Sequence, residues 1–312
     1  MLSYLVKRLL LVVPTTLAVL VLTFFLLRAS GSPVDEMLGE KGGTPEERAR
    51  LEHELGLDRP APVQFVDYFA RLFRGDMGTI VSTHAPVARE IAQRLPNTVI
   101  LAFTAMLLAT LVGVASGILS AVRRDSLLDL VLRFLTFCFI STPIFWFGIM
   151  LIFLFAYLLG WFPASATGEG GWRVFVLPVI ALGLRPAAFI ARVTRAGFLD
   201  ELGRNYVLAA RAKGLSEWTV ALRHVLRNVA IPLVTVIGGD LGNLLGGTMI
   251  TEKVFSFNGV GRFAVDAVLN RWYDAVMGVT LFWAVVFVLV NLAIDLAYAF
   301  ADPRIAFEGA EP

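Results

Sequence analysis

Between Arg8 and Arg28 the chain carries no charge at all over residues 9–27. A helix of roughly 20 apolar residues crosses the ~30 Å hydrocarbon core of a bilayer. The same pattern recurs along the chain. Residues 97–122 hold no ionisable group and are closed by Arg123 and Arg124. Residues 134–168 also lack acids and bases, but that run is too long for one crossing. A helix is therefore expected near 134–159, followed by an outer loop. Three more runs are apolar but for one charge each: 174–191 with Arg185, 229–250 with Asp240, and 275–301 with Asp295. Backbone polar groups in hydrocarbon must be satisfied within the segment, so such runs are read as helices. The expected fold is all-α, a polytopic membrane protein with six transmembrane helices.

Composition agrees and narrows the classes. Only 17% of residues are charged and 57% are hydrophobic, which excludes a disordered chain. A formal charge of +2 is no footprint for nucleic acid. The single cysteine, Cys138, excludes an internal disulfide framework and a Cys-rich zinc site. It reads as a small packing residue within the third run. The first apolar run is longer than the about 7–15 residues of a signal-peptide core, and Arg28-Ala29-Ser30-Gly31 gives no Ala-x-Ala site. An uncleaved anchor is expected.

Orientation follows from the short loops. With the N-terminus inside, thirteen bases fall on inner segments, among them Lys7, Arg8, Arg123, Arg124, Arg133 and Arg304. Four fall on the short outer loops: Arg173, Lys253, Arg262 and Arg271. This bias places both termini in the cytoplasm. The chain then divides into residues 1–29, the N-terminus and first helix; 30–96, an outer segment; and 97–312, a five-helix core with an inner loop at 192–228.

Two hydrophilic segments carry local order. In the outer one, Thr44, Pro45 and Glu47 have the spacing of an N-cap, N1 and N3. Aromatic residues at 65, 68, 69 and 73 then lie near helical spacing. A small helical cap on the outer face is expected. In the inner one, good helix formers run to Lys213, and Gly214 stands where a C-terminal cap belongs. Ser216 can cap a second helix, with Trp218, Ala221, Leu222 and Val225 on one face and Arg223 and Arg227 on the other. A helix–glycine–helix pair with seven bases has the form of a docking surface.

The string Ala209-Ala210-x-x-x-Gly214 resembles the EAA loop of ABC importer permeases. Tyr206, the run Ala-Arg-Ala-Lys-Gly, His224 to Asn228, and Ile231-Pro232 together resemble the dipeptide/oligopeptide permease subfamily, the first of its two permease subunits. Other stretches match along the chain: His53 to Asp58, Gly75-Asp76-Met77-Gly78, Thr251 to Phe255, Gly259-Val260-Gly261-Arg262, and Asp302-Pro303-Arg304. Two positions depart from the pattern. Leu208 stands at the Glu of the general loop, and Gly31-Ser32-Pro33 lacks the Asp usual after the first span.

The resemblance implies an ATP-driven importer for peptides or a related small solute. It implies a homologous second permease subunit, two ATP-binding subunits that hold ATP and Mg, and an extracytoplasmic binding protein, in the inner membrane of a prokaryote. The coupling loop to the ATPases would comprise Tyr206, Ala209, Ala210, Arg211, Ala212, Lys213 and Gly214. Small Ala209, Ala210 and Gly214 permit close packing, and the bases anchor the loop at the membrane surface. The chain has no G-x-x-x-x-G-K-[S/T] phosphate cradle, so ATP chemistry is expected elsewhere.

Catalytic readings fail. His53-Glu54 lacks a second His, because position 57 is Leu57, so there is no metalloprotease helix and no metal site is expected. Ser116 lies in Gly113-x-x-Ser116-Gly117 within an apolar run, but His53, His84 and His224 all lie in hydrophilic segments. No catalytic residue is expected. On the fifth run, Gly238, Gly242 and Gly246 share a face, suited to close helix packing and, by the resemblance, to lining the translocation path. Asp240 is a functional candidate by position: it either pairs with Arg185 or lines the path. An ion-coupled secondary transporter is the alternative, though no inverted repeat is visible.

Overall fold

The computed structural model describes residues 2–38, 43–166 and 171–301, with side-chain surroundings from residue 14 onward except at 36–37, 246–247, 291 and 293–301. The surroundings of Gly246 and Asp295, and the 302–304 match, thus lie outside what is described. The helices in chain order are α1 (Leu2–Ala29), α2 (Pro33–Leu38), α3 (Pro45–Glu54), α4 (Ala61–Leu72), α5 (Val87–Val122), α6 (Leu127–Ser141) and α7 (Ile144–Leu151). There follow α8 (Arg173–Leu202), α9 (Asn205–Ala212), α10 (Glu217–Thr219), α11 (Leu226–Gly247), α12 (Met249–Val254), α13 (Val260–Leu269) and α14 (Tyr273–Ala301). Wider π-helical turns continue α7 over Ile152–Leu158 and α10 over Val220–Val225. The fold is all-helical among the described residues, with one isolated bridge between Thr79 and Pro86.

Four helical stretches are long and apolar enough to cross a membrane: Val87–Val122, Arg173–Leu202, Glu217–Leu245 and Tyr273–Val290. The described apolar part of α1 is shorter, Pro14–Ala29. The expected single helix near 134–159 is corrected. It begins earlier, at Leu127, where Ser126 accepts a hydrogen bond from the Asp129 amide. It then breaks, and α6 meets α7 with its π extension at a bend of 107°. The cause is local. Thr142 precedes Pro143 and takes an extended conformation, φ −82 and ψ 126, because a following proline ring crowds the helical region. Counting this bent pair as one span brings the total to five.

The chain forms two compact units. The first comprises Met1–Pro96 and Gly259–Leu289. In it the Thr44–Glu47 capping box forms in both directions. The α4 stripe buries Tyr68 and seats Phe65 and Phe69 against Leu20, Phe24 and Met277. Phe73 does not join it and is 88% exposed, because α4 ends at Leu72 and Phe73 caps it. Arg28 lies 3.6 Å above the Phe24 ring and donates to Gln64.

The second unit comprises Asn97–Asn258 and Val290–Pro312. Here α8 is the central element, and α6, α7 and α11 pack on it. Its seam with α5 is made by glycines. A Cβ on Gly113 would stand 2.6 Å from the Ala187 carbonyl, and one on Gly117 2.6 Å from the Ala191 carbonyl. Gly183 approaches the Ala105 carbonyl in the same way. Small residues spaced by four let two backbones touch. Ser116, between the two seam glycines, donates back to the Gly113 carbonyl, as helix serines do. Across α6 and α8, the buried Asp129 carboxylate takes two 2.9 Å hydrogen bonds from Arg195 and a third from Ser120.

Candidate functional site

The inner loop joins α8 to α11 through two short helices. After Gly203, Arg204 is extended and α9 begins. Its end has the reciprocal bonds of a Schellman turn. The Gly214 amide donates to the Arg211 carbonyl at 2.9 Å, and the Leu215 amide to the Ala210 carbonyl at 3.4 Å. That closure needs a left-handed residue, and Gly214 supplies it with φ +78. Ser216 then caps α10 by accepting from the Thr219 amide. Both cap positions agree with their sequence reading.

The loop has an inner and an outer face. Val207, Ala210, Val220, Ala221 and Val225 are buried. Below them, the position of a Cβ on Gly197 lies 2.8 Å from Val229, which locks the end of α8 to the start of α11. Leu208, Leu215, Trp218 and Leu222 are exposed, Leu208 to 56%. This corrects two expectations. Ala210 packs within its own chain, so of the small residues Ala209, Ala212 and Gly214 face out. Trp218 and Leu222 are bare, and Val220 takes their place inside. The π turn over Val220–Val225 advances the bonding by one residue and so rotates the face that a regular helix would bury.

Polar contacts set the loop's shape. Arg211 grips Glu217 across the turn with two hydrogen bonds, 2.8 and 2.9 Å. That contact raises the Arg211 pKa. Tyr206 donates to Glu201 at 2.6 Å, and Asn228 donates to both of them at 3.1 Å. Burial, and then the bond to Glu201, pushes the Tyr206 phenol above its usual value. Glu201 and the Arg211–Glu217 clamp were not legible as partners, because each bond joins separate elements across a turn. Lys213 is exposed on the rim.

Arg185 and Asp240 make no ion pair within 4 Å among the described residues, though the Arg185 charge still acts on the Asp240 carboxylate. Arg185 lies on the exposed side of α8 with Phe189 and Arg192, opposite the buried Leu182, Ala187 and Ile190. Asp240 is half-buried, and Asn243 hydrogen-bonds its carboxylate one turn on. Of the α11 glycines, Gly242 approaches Val290 of α14, its Cβ position 2.9 Å from Cγ1. Gly238 is half-buried and Gly239 faces open space. Among the described residues no three His, Cys, Asp or Glu side chains cluster to hold a metal ion.

Comparison with known proteins converges on one family. Residues 113–307 match the binding-protein-dependent transport system inner membrane component, and residues 1–102 match the N-terminal part of such membrane components. The di/tripeptide transport system permease protein DppB of Pseudomonas aeruginosa is 39% identical over 98% of this chain and 99% of its own length. The dipeptide permease DppB of Escherichia coli K12 is also 39% identical, over the same shares. The glutathione transport system permease protein GsiC of Salmonella choleraesuis is 40% identical over 99% of this chain and all of its own. Among solved structures, the inward-facing MetNI methionine ABC transporter shares the fold. Its TM-score is 0.56 at 20% identity, over 66% of this chain and 94% of that one. ATP hydrolysis in such a transporter resides in partner subunits. The chain therefore belongs to the inner membrane components of binding-protein-dependent transport systems and is the permease subunit of a prokaryotic ABC importer.

Proposed function

We propose that the chain forms half of the translocation path for dipeptides or a peptide-like solute such as glutathione, and that residues 205–222 dock it to an ATPase subunit. The observation that carries this reading is the two-faced loop. Its apolar inner face is spent on α8 and α11, yet Leu208, Leu215, Trp218 and Leu222 stand bare beside Arg211 and Lys213. An exposed apolar patch with a charged rim is the usual form of a protein-binding surface. A rigid frame beneath it is what transmission of a domain closure requires. The peptide assignment draws on the relatives' transport of di/tripeptides and glutathione.

In this reading α1 and the bent α6–α7 pair are also spans, giving six, with both termini cytoplasmic. Residues 30–96 form an extracytoplasmic helical cap that meets a binding protein. A homologous second permease completes the path, and two ATP-binding subunits hold ATP and Mg. Asp240 and Gly238 line the path near its middle, and Gly242 fixes α11 to α14. The test is uptake of labelled dipeptide into vesicles reconstituted with all subunits. Uptake is expected to need ATP, the binding protein and both permeases. Uptake driven by an ion gradient without the ATPases would overturn the reading.

A further inference from the structure

A cavity lies apart from the coupling surface. Between α5, α6 and α8 the structure encloses about 420 Å³. Arg133, Arg192 and Arg195 line it together with Leu132, Phe137 and Ile140. Asp129, beside it, is bonded to Arg195 and lies 3.5 Å from Arg133. Three positive charges against one negative leave two in excess. Arg192 has no hydrogen bond or ion pair among the described residues, and its guanidinium lies 5.2 Å from the Phe189 ring centroid. Asp129 holds Arg195 by Nε and one terminal nitrogen, so its guanidinium is fixed in place while its other terminal nitrogen has no described partner.

On α6, Phe137 and Ile140 follow Arg133 by one and two turns. On α8, Arg192 and Arg195 are flanked by Ala191 and Ala196. The cavity thus joins three bases to an apolar strip on α6. Phe134, Phe137 and Leu135 continue an exposed apolar face on α6. We propose that this cavity binds the headgroup of an anionic phospholipid of the inner leaflet, its phosphate between Arg133, Arg192 and Arg195 and its chains along Phe137 and Ile140. Basic pockets between transmembrane helices at the cytoplasmic side have this chemistry. The placement in the inner leaflet rests on the orientation proposed above.

The test counts bound lipid on the purified transporter by native mass spectrometry, after exposure to mixed micelles of phosphatidylglycerol or phosphatidylcholine. Phosphatidylglycerol is expected to be retained over phosphatidylcholine. Arg192→Gln should lower that retention about fivefold, and Arg133→Gln with it about twentyfold, from the usual worth of a base at an anionic surface. Arg195 is left intact because its loss would expose the buried Asp129. Arg124→Gln, an exposed base on the same side and outside the cavity, should change nothing. Unchanged retention in the double variant overturns the proposal. So does an equal loss in Arg124→Gln, which would mean bulk surface attraction. A loss of transport in Arg192→Gln with lipid retained overturns it too, since the arginine would then face the substrate carboxylate. Lipid retention is read without transport, so failure of the transport reading leaves this result intact.

Discussion

Gly75 and Gly78 have almost the same backbone, φ +80 and +81, but different surroundings. A Cβ on Gly75 meets nothing within 4 Å, whereas one on Gly78 would overlap the Asp274 carboxylate. Gly75→Ala carries only the left-handed cost, about 1–2 kcal/mol. Gly78→Ala adds overpacking worth about 1–3 kcal/mol. Thermal unfolding of the purified protein should show a clearly larger fall for Gly78→Ala; equal falls would mean that the Asp274 contact is not made. Some residue roles were plain from sequence: Thr44 and Ser216 as caps, Gly214 as the left-handed terminator. These are set within a few residues. Of the two roles open to Asp240, direct contact with Arg185 is not made, although Arg185 is its electrostatic neighbour; the side of α8 that faces the core is set by tertiary packing and not by apolarity alone.

At the scale of elements, helix seams are governed by close backbone approach. Gly117 sits 2.5 Å, at its Cβ position, from Thr194 Cβ, so Gly117→Ala should cost about 1–3 kcal/mol through overpacking. Gly239→Ala, in open space on α11, should be neutral or stabilising by up to about 1 kcal/mol through helix propensity. Folded yield and Tm separate the two; a neutral Gly117→Ala would contradict the α5–α8 seam. The Asp129–Arg195 bond ties α6 to α8. Asp129→Asn or Arg195→Gln leaves a charge poorly matched and should destabilise by about 3–5 kcal/mol. Stability unchanged by either would show the bond to be dispensable. The seam glycines were visible in sequence as Gly113-x-x-x-Gly117 but drew notice only as a rejected serine motif. The bend before α7 was signalled by Pro143, yet the unbroken apolar run hid it. Hydropathy registers solvent and not backbone direction. The π turn over Val220–Val225 left no readable trace in the apolar pattern.

For the whole molecule, the apolar runs were legible because bilayer thickness acts on composition directly, and the charge bias of the short loops sets the expected topology. The expected topology is checked by single cysteines, Ser82→Cys and Ser216→Cys in a Cys138→Ser background, and an impermeant thiol reagent on intact cells. Both positions are exposed, so labelling at 82 and protection at 216 is expected, and the reverse pattern would invert the topology. The most direct test of coupling joins this scale to the loop. A Cβ on Gly214 meets nothing within 4 Å, and aspartate is among the side chains that tolerate left-handed backbone. Leu208 is bare. Gly214→Asp and Leu208→Asp should therefore leave insertion and pairing with the second permease intact. The decisive measurement is the amount of ATPase subunit that co-purifies with each variant, read beside ATP-driven dipeptide uptake. Both are expected to fall about tenfold or more, equivalent to at least ~1.4 kcal/mol of lost docking. Full ATPase retention and full uptake in both variants would contradict the assignment of residues 205–222 as the coupling surface.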